Sequence, residues 1–273
     1  MSWTTFLESA PAADHAVQVY DDLAELADSV GRYLDAGFGR GEPGVLIATA
    51  AHRHAFAAEL RSRGWDTDQL EGKGLLVCLD AQQTLDMFMD GDSPSAEPFE
   101  QVVGGAIDDL AVRFPDKTIR AFGEMVDLLW RQGNEAGAIA LEDLWNELAE
   151  SRRFALLCGY HLDIFDIDVQ ISALPKIIRV HSHPRPAADT SRLAAAVDKA
   201  LAETLGPFEA GQIYLQVAEQ VPRTQLPRAQ AVLMWLSQQQ TPNAQRVLDR
   251  VRTHYTSLRE AASAHSRAPF YSS

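Results

Sequence analysis

The sequence predicts an α/β fold: a doubly wound, mainly parallel sheet of five or more strands, followed by an all-helical C-terminal region. Short apolar segments alternate with amphipathic segments through residues 14–180, as in sheets whose strands are connected by helices. Most of the strand segments are continuously apolar, which is typical of parallel strands covered by helices on both faces. After residue 190 only helical periodicity is evident.

Five segments have the composition of buried strands. The first alternates and is rich in Val and Tyr, and the later ones are short apolar runs that end near Gly or a polar residue. Right-handed crossovers between them give the doubly wound arrangement. The predicted strands are residues 15–20, 44–49, 74–79, 118–122 and 154–158.

Helices are predicted where apolar residues recur every three or four positions. Asp21 and Asp22 offer an N-cap for the first helix, and Gly37 marks its end. In the α/β part the predicted helices are residues 22–36, 51–63, 81–90, 96–113, a segment that contains Trp130, 135–151 and 167–179. In the C-terminal region they are residues 190–205, 208–220 and 226–260, the last with a break near Thr241-Pro242.

The charge distribution indicates a change of module near residue 185. The chain has 273 residues and a net charge of −14, of which residues 1–184 carry −17 and residues 185–273 carry +3. A Pro-rich stretch, His181–Asp189, lies at this boundary and is predicted to be a linker. We therefore expect an α/β domain over residues 14–184, a helical region over 190–262, and loose termini at 1–13 and 263–273.

Composition excludes several classes of protein. The negative charge disfavours nucleic-acid binding, and no apolar run approaches the roughly 20 residues that a membrane span needs. The N-terminus lacks the pattern of a secretory signal. Cys78 and Cys158 each lie in an apolar run, as buried free cysteines do. We expect a cytoplasmic protein.

Nucleotide and metal motifs are not evident. The segment after the first strand has neither the glycines nor the lysine of a phosphate-binding loop. Two HxH pairs, His52/His54 and His181/His183, fall on a predicted helix and a Pro-rich linker, where their side chains are not expected to converge. The sequence therefore predicts no metal site and identifies no cofactor, and the spacing shows no hydrolase motif.

The candidate site follows from the fold. Ligands of doubly wound sheets bind beyond the carboxyl ends of the strands. Arg120, inside the fourth strand, either forms a structural ion pair or holds a polar ligand, and Trp130 either packs in the core or lines a pocket together with Tyr160. The other polar or aromatic residues at the strand ends are Tyr20, Asp80, Glu124 and His161.

The helical region has an amphipathic pattern with two interpretations. Its apolar residues either pack a helical hairpin or form a surface for dimerisation or for a partner. The residues concerned are Leu233, Trp235, Leu236, Leu248, Val251 and Tyr255.

Five short motifs, in order, resemble the MEDS domain, a sensory domain named from methanogen and methylotroph proteins and from the dichloromethane regulator DcmR. The resemblance covers about residues 14–185. The motifs are His15-Ala-Val-Gln-Val-Tyr20, Leu34-Asp-Ala-Gly37 with Arg40-Gly-Glu42-Pro-Gly44-Val-Leu, Leu60-Arg-Ser-Arg-Gly64-Trp-Asp66, Arg120-Ala-Phe-Gly123-Glu124-Met125, and Leu156-Leu-Cys158-Gly-Tyr160.

The resemblance implies a RecA/KaiC-like fold without a working Walker motif, and a role in sensing small organic molecules. Members are often joined to a kinase-like ATPase or a DNA-binding domain, and residues 190–273 show the motifs of neither. By motif position the family's residues correspond to His15, Tyr20, Arg120, Glu124, Cys158 and Tyr160.

These observations predict a sensory or regulatory protein rather than an enzyme. It is expected to bind a small molecule at the carboxyl edge of the sheet and to signal through its helical tail to a protein partner or by homodimerisation. Arg120 and Glu124 are expected to hold the polar part of the ligand, with Tyr160 and Trp130 on the apolar part. The alternatives are a hydrolase or nucleotide-dependent transferase that uses the same edge, with Asp80 and Glu124 as its candidates, and an interaction module without a ligand.

Overall fold

The computed structural model describes residues 3–187, 189–220, 226–239 and 241–266. The chain forms two compact units. The first comprises Met1–Leu162 and Lys176–Arg185, and the second comprises Asp163–Pro175 and Pro186–Ser273. The segment 163–175, which follows the last long strand, therefore belongs with the helical region rather than with the sheet.

The first unit is built on a six-stranded sheet in which all pairings are parallel. Its strand order is β3-β2-β6-β7-β1-β8, and β4 pairs with β5 in a small antiparallel hairpin. The predicted α/β class and parallel sheet are confirmed, whereas the relation to RecA stays a prediction. The strands are β1 His15–Tyr20, β2 Gly44–Ala48, β3 Leu76–Asp80, β4 Met89–Asp90, β5 Ser93–Pro94, β6 Ile119–Gly123, β7 Phe154–His161 and β8 His183–Arg185.

Helices precede, connect and flank these strands. A π-helical segment, Glu100–Gly104, joins α6 to α7, and another, Val169–Ala173, leads into α10. The helices are α1 Trp3–Ser9, α2 Leu23–Phe38, α3 Ala50–Ser62, α4 Thr67–Gly72, α5 Ala81–Asp86, α6 Ala96–Phe99, α7 Gly105–Arg113, α8 Met125–Arg131, α9 Glu135–Ser151 and α10 Leu174–Arg179.

Two segments expected to be irregular are ordered elements. The predicted loose lead-in contains α1, whose Phe6 and Leu7 are buried in the core beside Tyr33. The predicted linker contains β8, which pairs with β1. Pro184 lies within β8, and an edge strand is where proline is tolerated, because the missing N–H need not serve a second neighbour.

In the second unit, the described residues after Pro186 form four α-helices: α11 Thr190–Leu205, α12 Pro207–Gln220, α13 Arg228–Gln239 and α14 Pro242–Ser266. The predicted third helix is thus two helices, and Pro242 starts the second of them, where its missing N–H costs no hydrogen bond. The predicted amphipathic residues Leu233, Leu236, Leu248, Val251 and Tyr255 are buried. Residues 263–266, predicted to be loose, belong to α14, and residues 267–273 lie outside the described part of the chain.

The order of the strands sets a topological switch point at the carboxyl edge, the position where sheets of this kind have their crevice. The connection after β2 leads to β3 on one side of it, and the connection after β6 leads to β7 on the opposite side. Connections that diverge in this way leave a gap above the two strands, and this switch point is the usual ligand position in such sheets. Thr49 follows β2 and Glu124 follows β6, so these residues flank the crevice.

Candidate functional site

Glu124 closes the crevice between β2 and β6 with a buried carboxylate. The residue is 1% exposed. Its carboxylate accepts a hydrogen bond from the backbone N–H of Thr49 and contacts Nδ1 of His52. Both groups lie at the first turn of α3, and the partial positive charge of a helix N-terminus favours a carboxylate there. The backbone N–H of Glu124 also donates to the carbonyl of Ile47, at 3.2 Å.

A second acidic residue, Asp127, is held one turn further along the chain. Its carboxylate accepts the backbone N–H of His161 at 2.8 Å and pairs with Arg131. Burial raises the pKa of Asp127, although the hydrogen bond from His161 and the charge of Arg131 oppose the rise. The guanidinium of Arg131 also donates to the hydroxyl of Tyr20, at 3.3 Å.

Tyr20 connects the two acidic groups. Its ring meets the rings of His52 and His161 edge-on, with centroids 5.9 Å and 5.3 Å apart. Burial and the nearby carboxylate of Asp127 raise the pKa of the Tyr20 hydroxyl, so the residue stays a neutral phenol. We call the group Tyr20, His52, Glu124, Asp127, Arg131 and His161 the edge network.

The edge network has a buried part and an accessible part. Glu124 and Asp127 are buried, whereas Arg131 and His161 are exposed. The accessible groups are thus the guanidinium of Arg131 and the imidazole of His161. The buried carboxylate of Asp127 pairs with the Arg131 side chain and accepts the backbone N–H of His161. Such an arrangement presents hydrogen-bond donors to a molecule at the carboxyl edge, while the acids fix their positions.

Asp80 lies at the same edge, at the end of β3, but its carboxylate is already engaged. One oxygen accepts the backbone N–H of Gln83 at 3.1 Å and caps α5, and the other lies 3.1 Å from the guanidinium of Arg53. The hydrogen bond from Gln83 and the contact with Arg53 lower the pKa of Asp80. These contacts give Asp80 a local structural role.

Arg120 does not lie with Glu124. Four residues of strand separate them by about 13 Å, and the Arg120 side chain is directed towards α1 and α2. Its guanidinium donates to the carboxylate of Glu42 at 2.7 Å and to the carbonyls of Leu7 and Tyr33 at 2.7 Å and 2.8 Å. The side chain is 1% exposed. The contacts correspond to the structural ion pair, and the structure does not bring Arg120 and Glu124 together around one ligand.

Tyr160 and Cys158 form a second polar group around Glu142 of α9. Glu142 is fully buried. The hydroxyl of Tyr160 donates to its carboxylate at 2.8 Å, and the Cys158 sulfur lies 3.7 Å from it. The rings of Tyr160 and Trp130 pack edge-to-face, with centroids 5.7 Å apart. Tyr160 is thus a core residue beside the edge network, and Trp130 is half-buried.

Two histidines complete this second group. Nε2 of His15 lies 3.3 Å from one Glu142 oxygen, and Nε2 of His181 lies 3.4 Å from the other. The two imidazole rings are 4.1 Å apart between centroids. We call the group His15, Glu142, Cys158 and His181 the inner cluster.

Ionisation in the inner cluster reflects burial and mutual interaction. Burial opposes ionisation of Glu142, but His181 and His15 outweigh it, so the pKa of Glu142 lies well below its ordinary value. Burial and His181 lower the pKa of His15. Burial and the Glu142 charge raise the pKa values of the Cys158 thiol and the Tyr160 hydroxyl.

Residues 14–182 match a family model described as the MEthanogen/methylotroph, DcmR Sensory domain, MEDS. The chain belongs to the MEDS family. The matched range contains both the edge network and the inner cluster. No curated protein sequence matches the chain. The resemblance predicted from the five motifs is confirmed, and with it a sensory or regulatory role at the level of the family.

Several site residues could not be picked out from the sequence. His52 was assigned only to a predicted helix, yet its side chain is 12% exposed and contacts Glu124. Glu142 did leave a signal, because it interrupts the buried stripe of α9 between Leu141 and Trp145. His181 was noted only as part of an HxH pair on a Pro-rich stretch, and that pattern does not reveal its contacts with His15 and Glu142. Within the described residues, no helix is both long and apolar enough to cross a bilayer.

Proposed function

We propose that this MEDS protein is a cytoplasmic sensory regulator that binds a small polar molecule at the carboxyl edge of its sheet. The observation that carries the proposal is the edge network at the switch point between β2 and β6. Buried ionisable groups are costly unless they are paired or used, and their concentration at the usual ligand position of a doubly wound sheet favours a binding role.

The chemistry of the edge network favours a ligand that accepts hydrogen bonds. Arg131 and His161 are exposed donors, and the partly buried His52 has its ring fixed by Glu124. Tyr20 offers an aromatic edge between them. In this proposal His52, His161 and Arg131 contact the polar part of the ligand. Glu124 and Asp127 act by holding those donors in position.

The route to the output follows from the path of the chain. β7 ends at His161, whose backbone is held by Asp127, and the next residues enter the segment 163–175 of the helical unit. There Gln170 accepts a hydrogen bond from the side chain of Gln230 of α13, at 2.8 Å. A ligand that favours one position of His161 would shift the population of helical arrangements. The helical unit would pass this change to a partner protein or to a second copy.

We expect His52→Ala to weaken ligand binding by about tenfold or more, since loss of one hydrogen bond involving a charged partner costs about 1.5–3 kcal/mol. Hits from a thermal-shift screen of small polar organic compounds would be titrated calorimetrically into both proteins. The control is His54→Ala on the same helix, because His54 is exposed. Equal affinity in the His52 and His54 variants would contradict the proposed site.

Glu124→Gln is a second probe of the same site. The amide keeps the shape and accepts the hydrogen bond from Thr49, but it removes the charge that orients His52. Weaker binding with an unchanged unfolding midpoint would support a positioning role for Glu124. Product formation from a bound hit would instead favour the enzyme alternative, with Asp80 and Glu124 as the residues to replace next.

A further inference from the structure

The inner cluster is assembled from four separate parts of the chain. His15 begins β1, Cys158 lies in the middle of β7, Glu142 lies on α9, and His181 precedes β8. One potential ligand atom from each residue lies within 4.8 Å of all the others, and all four residues are buried. Backbone pairing brings the two histidines together, since Ser182 donates its N–H to the carbonyl of His15 at 2.7 Å.

The spacing of these atoms is that of metal ligands. Ligand atoms about 2.1 Å from a zinc ion lie about 3.4 Å apart in a tetrahedral arrangement. Nε2 of His15 is 3.2 Å from the Cys158 sulfur and 3.3 Å from a Glu142 oxygen. Nε2 of His181 is 3.4 Å from the other Glu142 oxygen.

Both histidines have the hydrogen bonds that metal-binding imidazoles need. Nδ1–H of His15 donates to Oδ1 of Asn146 at 2.9 Å, and the Asn146 amide is oriented by its own bond to the Val180 carbonyl, at 3.1 Å. Nδ1–H of His181 donates to the carbonyl of Ile177 at 2.6 Å. In the neutral imidazoles, each bond leaves the Nε2 lone pair directed into the cluster, as in metal sites where an outer partner fixes the tautomer.

An unpartnered atom points to a ligand. Nε2 of His181 has no hydrogen-bond partner although the side chain is fully buried. The cluster is rich in acceptors: two imidazole nitrogens, two carboxylate oxygens and a sulfur. The protons available to them are those of the Cys158 thiol and the Tyr160 hydroxyl, and the latter is already donated to Glu142. A cation would satisfy the remaining lone pairs.

We propose that His15, Glu142, Cys158 and His181 bind a divalent metal ion of the zinc class. Two neutral imidazoles, a carboxylate and a thiolate make a mixed nitrogen, oxygen and sulfur set that suits Zn²⁺. The two negative ligands balance the two positive charges, so the loaded site is neutral in a buried position. On binding, the thiol proton leaves to solvent and the sulfur–metal bond replaces the S–H bond.

The site would be closed, because four protein groups fill a tetrahedral shell. It would join α9 to the three neighbouring strands β7, β1 and β8 in the core of the sensory unit. This role does not depend on the small-molecule site at the carboxyl edge, so either proposal can fail without the other. The sequence indicated no metal site because its four residues share no spacing motif.

The test is metal analysis of the full chain expressed in zinc-supplemented medium and dialysed. We expect elemental mass spectrometry to find about one zinc ion per chain. Replacement of zinc by Co²⁺ should give a thiolate-to-cobalt charge-transfer band. Cys158→Ser should lose this band and should bind the metal at least about tenfold more weakly. The matched control is Cys78→Ser, which should keep the band, because Cys78 lies outside the cluster.

A folding defect is separated from loss of a ligand by a second variant. Asn146→Ala keeps all four ligands but removes the partner of His15, and we expect a retained cobalt–thiolate band with about 10- to 100-fold weaker affinity. Circular dichroism checks that each variant is folded. A folded chain that holds no zinc and gives no cobalt–thiolate band on titration would overturn the proposal, as would Cys158→Ser that binds metal as tightly as the original chain.

Discussion

Arg120→Ala is expected to lower the free energy of unfolding by about 3–5 kcal/mol, because it removes a buried cation that pairs with Glu42 and donates to three backbone carbonyls. Arg120 serves the carboxylate of Glu42 and the carbonyls of Leu7, Glu8 and Tyr33. Truncation would remove the Arg120 donor from all four groups, although Glu42 and the Glu8 carbonyl would keep their hydrogen bonds from Arg40. The measurement is urea denaturation. An unchanged dependence of the unfolding free energy on urea concentration would show that the surface area exposed on unfolding is the same in both proteins.

The control for this prediction is Arg32→Ala. Arg32 makes an exposed pair with Asp28, with both side chains about half exposed, and such pairs contribute about 0.5 kcal/mol or less. Arg120→Lys separates charge from geometry, since lysine keeps the charge but lacks the planar fork that reaches several oxygens. A loss below about 1 kcal/mol for Arg120→Ala would contradict the structural role and reopen a role in ligand binding.

The ion pair also predicts a pH dependence. Burial opposes ionisation of Glu42, but hydrogen bonds from Arg40 and Arg120 outweigh it and lower its pKa. A lowered pKa in the folded state means that the pair stabilises the protein at a pH above the ordinary glutamate value of 4.5. This contribution is lost as the pH falls through the folded-state value.

Periodicity in the sequence located the long elements well. α9 and β1 have the predicted bounds, because each combines a clear apolar pattern with a polar residue at its start. The elements that were missed are short or atypical. α4 has six residues, β8 contains a proline, and α1 lies in a segment with alanine and proline after it. These elements are stabilised by tertiary contacts, which no local sequence pattern reveals.

The candidate site was predictable only where topology determines it. Glu124 was expected at the carboxyl edge because it follows a buried strand, and it lies there. Its partner His52 is 72 residues away in sequence, so the pairing follows from the positions of β2 and β6 in the sheet. Arg120 was grouped with Glu124 by nearness in sequence, but a strand extends by about 3.3 Å per residue and separates them.

Trp145→Ala is expected to cost about 3–5 kcal/mol of unfolding free energy, the range found when a large aromatic side chain is removed from a core. Trp145 is 1% exposed and lies between Phe99 and Phe154, with ring centroids 5.4 Å and 5.9 Å away. Its ring also covers Gly123, where an added Cβ would lie 3.5 Å from it. The cavity left by alanine would therefore lie beside Gly123, the last residue of β6, which directly precedes Glu124.

The matched control is Val112→Ala in the same unit, because Val112 is 82% exposed and its change should stay within about 0.5 kcal/mol. Trp145 also lies one turn from Glu142 on α9, so the substitution is close to the inner cluster as well as to the edge network. In Trp145→Ala, the loss of packing against Gly123 should weaken ligand binding at the edge network. Trp145→Phe should recover part of the unfolding free energy and part of the binding affinity. If Trp145→Ala unfolds no earlier in urea than Val112→Ala, the packing of α9 against β6 and β7 described above is wrong.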